Sequence, residues 1–161
     1  MTSVADLQRA DTMLSTLTVV ALLLVHFLLR PRLDFIAAPD LLVGGLLLAA
    51  LRLRAGQAAA LGFALGILDA AMALENLGIY GLVLLMVAFA AARSRDLLFA
   101  DARFFVAIYL FVGTWIAVAA LSLLGTGTYD IPIALGSALA TAVTTTLVCV
   151  AVHSLSASAL R

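Results

Sequence analysis

The chain has 161 residues, 65% of them hydrophobic and 11% charged, with nine basic residues, nine acidic residues and no net charge. Its mean hydropathy is +1.22. A soluble domain carries roughly a quarter charged residues and must turn a polar exterior to water, so this composition excludes a water-soluble fold and any sizeable soluble domain.

Six apolar runs follow one another, at 13–29, 36–51, 56–73, 77–92, 104–124 and 131–153. Each is continuously apolar, where a membrane β-barrel alternates polar and apolar residues at a period of two. The runs predict an all-α integral membrane protein, a single domain over 1–161 with six transmembrane helices. The first run follows Arg9 and ends at Arg30-Pro31-Arg32 without a small-x-small cleavage site, so it reads as a retained helix rather than a signal peptide.

The second run contains Pro39-Asp40, where a carboxylate suits the free N–H groups and dipole of a helix start. The third carries a stripe of Ala55, Ala59, Gly62, Gly66, Asp69 and Ala73, spaced to lie along one helix face. Glu75 and Asn76 form a solvated turn before the fourth run. Trp115 sits near the middle of the fifth and reads as a packing residue. The sixth holds a polar stripe of Ser137, Thr141 and Thr144, and the lone cysteine, Cys149.

Arginines orient the bundle. With both termini in the cytoplasm, the inner side holds Arg9, Arg52, Arg54, Arg93, Arg95, Arg103 and Arg161, and the outer side only Arg30 and Arg32. In that frame Asp40 and Asp69 lie at a similar shallow depth near the outer surface, on consecutive antiparallel helices.

An ionised carboxylate in hydrocarbon costs several kcal/mol, so Asp69 must face protein, a ligand or water. Its neighbours along the stripe are small, and Gly62-x-x-x-Gly66 allows close helix approach, so the stripe is a helix-packing or partner interface. Asp69 then makes an interhelical hydrogen bond, docks a partner or holds a ligand or proton; Asp40 caps its helix. Ser137 and Thr141 are expected to supply polar support, and Arg30 and Arg32 to reach the acids from the outer loop by snorkelling. His26 and His153 have no acid or cysteine at ligand spacing and read as structural.

Enzyme chemistry has little to stand on. The chain lacks HExxH, Gly-x-Ser-x-Gly, a Walker loop and a dense carboxylate motif for Mg²⁺, and it has no lysine. No catalytic residue, cofactor site or metal site is expected. Nucleic acid would find no basic, aromatic surface.

The stretch from Ala38 to Leu85 resembles the rod shape-determining MreD family. The matching pieces are Pro39-Asp40-Leu41-Leu42, Gly62-Phe63, Gly66-Ile67-Leu68-Asp69 and Leu77-Gly78. Gly44-Gly45 followed by aliphatics departs from relatives that carry aromatics, and Glu75 stands where the family often has a small polar residue. The resemblance implies a non-enzymatic scaffold in the bacterial inner membrane that binds MreC and supports lateral peptidoglycan synthesis and cell shape. It implies work with the RodA–PBP2 synthase and MreB, directly or through MreC, and contact with membrane lipid. Because that fold is similar to the substrate-binding subunits of ECF vitamin transporters, such a subunit is the alternative expectation.

Overall fold

The computed structural model describes residues 4–29, 38–74, 76–94, 103–125 and 131–158. These form six helices: α1 (Val4–Leu29), α2 (Leu41–Ala50), α3 (Ala55–Ala73), α4 (Leu77–Ser94), α5 (Arg103–Gly125) and α6 (Ile131–Ser158). No strand occurs among the described residues. Helices α3 to α6 each contain an apolar stretch of 18 to 22 residues, long enough to cross a bilayer. The protein is a multi-pass membrane protein built as a helical bundle.

The short helix α2 organises the bundle. Its ten residues, LLVGGLLLAA, are all buried. At 1.5 Å per residue it is about 15 Å long, roughly half the hydrocarbon thickness. It packs against all five other helices. The helix starts later than the apolar run suggests: Ala38, Pro39 and Asp40 are non-helical, and 36 and 37 lie outside the described residues. A proline disfavours helical backbone in the residue before it. At the other end, the N–H groups of Arg52 and Leu53 both donate to the Ala49 carbonyl, at 3.0 Å each. The chain then turns through exposed Arg52 and Arg54 into α3, where the Arg54 N–H donates to the Gln57 side chain at 3.3 Å.

Helices α3 and α4 make the most extensive pairing, followed by α5 with α6. Two glycines of α3 explain the first. A Cβ on Gly66 would lie 2.6 Å from the Tyr80 carbonyl oxygen, and one on Gly62 would meet the Leu84 carbonyl and the Ala88 methyl. The two backbones run antiparallel in near contact, so the small stripe is occupied by packing within the chain. The turn between them passes through Leu74 in the left-handed region, φ 56°, its N–H bonded to the Ala70 carbonyl. Lipid tails are as apolar as leucine, so close packing and hydrogen bonds, rather than a hydrophobic driving force, hold such helices together. Phe63, Leu68 and Met72 of α3, with Leu82, Met86 and Phe89 of α4, remain exposed on the outside of the pair.

Gly66→Ala is expected to lower the bundle's stability by about 1–3 kcal/mol, because the neighbour that must move is backbone. Gly56→Ala, where nothing lies within 4 Å of the added carbon, is expected to cause no loss. Denaturant unfolding of the two purified variants in lipid compares them.

Candidate functional site

A helix that begins inside a bundle in hydrocarbon exposes its first N–H groups where no water can meet them. At the start of α2 each is accounted for. Leu41 N–H donates to the Pro39 carbonyl at 3.1 Å and Gly44 N–H to the Asp40 carbonyl at 3.0 Å. Val43 N–H donates to the Asp40 carboxylate at 3.1 Å. Leu42 N–H donates to Nδ1 of His26, on the last turn of α1, at 3.2 Å. The Asp40 N–H itself donates to the Thr145 hydroxyl of α6 at 2.8 Å. Asp40 thus caps α2 as its position suggests, but it does so with help from α1 and α6.

The same imidazole meets both acids. His26 Nδ1 lies 3.7 Å from Asp40 Oδ1, and Nε2 lies 3.4 Å from Asp69 Oδ1. The His26 and Asp69 side chains are about nine-tenths buried, and that of Asp40 about three-quarters. Accepting the Leu42 N–H requires the lone pair of Nδ1, so Nε2 carries the hydrogen and donates it to Asp69. Among the described residues α1 and α3 do not pack backbone to backbone; the His26–Asp69 hydrogen bond reaches across between them.

Thr145 and Cys149 form the wall behind this cluster. Both are fully buried, and a Cβ on Gly44 would lie 2.5 Å from the Cys149 sulfur and 2.9 Å from the Thr145 methyl. Glycine at 44 therefore lets α2 approach α6 closely enough for the Asp40–Thr145 hydrogen bond to form.

The residues singled out from sequence are only partly gathered here. Asp40 and Asp69 meet across His26; Gly62 and Gly66 face α4. Ser137 donates to the Ala134 carbonyl of its own helix at 3.0 Å. Thr144 likewise bonds the Ala140 and Thr141 carbonyls, and Thr141 is half-buried. The expected hydroxyl support thus comes from Thr145, not from Ser137. Arg30 and Arg32 lie outside the described residues.

His26 is the residue that sequence spacing missed. Asp69 is 43 positions away along the chain, so no local ligand pattern announces the pair. The available signal was an imidazole closing an apolar helix whose end lies at the depth of two acids. The indole N–H of Trp115 and the hydroxyls of Thr114 and Thr146 are buried without a hydrogen-bond partner.

Chemically, the cluster sets one imidazole between two carboxyl groups. No group of three or more His, Cys, Asp or Glu is placed to hold a metal ion among the described residues. A separate cavity of about 390 Å³ opens between α4 and α5, with Val87, Ala91, Tyr109, Val112 and Ile116 on its walls and Leu47 of α2 at its base. It is apolar. Compared with protein-family models, curated proteins and solved structures, the chain matches none of them.

Thr145→Val keeps the side chain's shape but strands the buried Asp40 N–H, at an expected cost of about 1–3 kcal/mol. Ser137→Ala removes a bond within one helix and is expected to change stability far less. Unfolding of both variants, reconstituted in lipid, checks the difference.

Proposed function

We propose that this chain is a non-enzymatic scaffold subunit of the bacterial cell-elongation complex, of the MreD type. In this reading the chain crosses the inner membrane six times, with both termini cytoplasmic. Exposed Arg52, Arg54 and Arg93 then lie on the inner side, as the arginine distribution requires. The chain binds the single-span protein MreC, and through it or directly the RodA–PBP2 synthase and MreB.

One observation carries the choice. Four polar side chains are used to join helices: Asp40, His26, Asp69 and Thr145 bond to one another and to the start of α2. A vitamin-binding subunit of an ECF-type transporter needs such groups to converge on a solute. Here they converge on α2, which supports a rigid platform over a solute-binding shell. The sequence resemblance supports the same reading through Pro39-Asp40, Gly62-x-x-x-Gly66 and Asp69.

Tagged chain, expressed with the MreC protein of the same genome, is expected to retain it through detergent extraction and to restore rod shape to cells depleted of their own MreD. Gly66→Leu is expected to lose both, because the leucine parts α3 from α4. Failure of the unaltered, folded chain to retain MreC or to correct cell width overturns the assignment. A small molecule released from the purified protein in native mass spectra would favour the transporter reading.

A further inference from the structure

We propose that His26, Asp69 and Asp40 form a proton-binding site that controls how α1 is fastened to α2. The inference is independent of the scaffold assignment.

The geometry admits two arrangements of one imidazole. In the neutral ring, Nδ1 accepts the Leu42 N–H at 3.2 Å, and the Nε2 hydrogen points to Asp69 Oδ1 at 3.4 Å. When a proton from water is added, it has one place to go on the ring, the Nδ1 lone pair. The imidazolium then carries hydrogens on both nitrogens. Nδ1 can no longer accept the Leu42 N–H, and two hydrogens would face each other there. The acceptor already beside it is Asp40 Oδ1, 3.7 Å away. Protonation therefore exchanges a bond to the α2 backbone for an imidazolium held between two carboxylates. The proton comes from and returns to the aqueous phase.

The surroundings suit this exchange. From the α2 side the ring faces Asp40, and α2 itself contains no titratable side chain. From α3 it faces Asp69. From α6 the titratable group is the Cys149 thiol, behind Gly44, one turn from Thr145. The next helix, α4, brings Tyr80 to the level of Gly66, one turn from Asp69. The two carboxylates supply the counter-charge that an imidazolium in a low-dielectric interior requires. The released Leu42 N–H lies in the first turn of α2, the helix that packs against all five others. The site thus couples a proton to the seat of the central helix.

The test is nitrogen NMR of the full chain in lipid vesicles, with histidine-ring and backbone nitrogens labelled and His26 assigned by comparison with His26→Gln. Spectra are taken between about pH 5 and pH 9, either side of the ordinary imidazole range. At the alkaline end the expected ring is neutral with its hydrogen on Nε2. On acidification it becomes doubly protonated, and the Leu42 amide signal moves with the same midpoint. Asp69→Asn and Asp40→Asn, which keep an oxygen acceptor, are each expected to weaken proton binding about tenfold or more. A ring that keeps one protonation state across the range overturns the proposal. So does a titration that leaves the Leu42 amide unmoved, or one that neither asparagine variant alters. If the variants do not fold, the ring and amide signals of the unaltered chain decide the matter alone.

Discussion

The start of α2 is the constraint around which the rest of the bundle is arranged. A ten-residue helix cannot reach both membrane surfaces, so one end must lie inside the protein. Free N–H groups there cost several kcal/mol each if left unmet in hydrocarbon. The chain meets them with groups from three directions: the preceding Pro39 and Asp40, His26 from α1 and, one residue earlier, Thr145 from α6. Two of these bonds fix where a neighbouring helix must stand: His26 places α1 and Thr145 places α6.

The packing follows from that seat. Because α2 touches every other helix, its two glycines and eight aliphatic side chains set the inner surface of the bundle. Gly44 admits the Thr145–Cys149 wall of α6, and Leu47 reaches α5 beneath the α4–α5 cavity. Outside this centre, α3 and α4 form a tight pair through Gly62 and Gly66. The His26–Asp69 hydrogen bond ties that pair to α1, which does not otherwise pack on α3 among the described residues. Polar bonds and small-residue packing thus divide the labour: the first locates α2, the second joins α3 to α4.

This division bears on function. A carboxylate within an apolar helix usually marks either a transport path or a structural joint. Asp69 is bonded to a base that is bonded in turn to a helix start, and that chain of contacts gives it a structural task with a titratable element in it. Phe63, Leu68 and Met72 of α3 and Leu82, Met86 and Phe89 of α4 are exposed, the surface of a protein that works among lipids.

Composition and run length alone determined that this is a helical membrane protein, because hydrocarbon admits only helices and closed barrels and the runs lack a two-residue alternation. They also placed Asp40 at a helix start and Asp69 on an inward face, since both follow from local rules: capping chemistry and the 3.6-residue period. The true length of α2 was less legible, because an apolar run continues through 36–38 and hydropathy does not register where the backbone turns. His26 and Thr145 were decided only by tertiary structure. Three threonines in a row, 144–146, look alike in sequence, and only the rotation of α6 against α2 selects Thr145 as the one that meets Asp40. An imidazole paired with acids 14 and 43 residues away has no signature in spacing, because those distances along the chain are closed by helix packing and by nothing local.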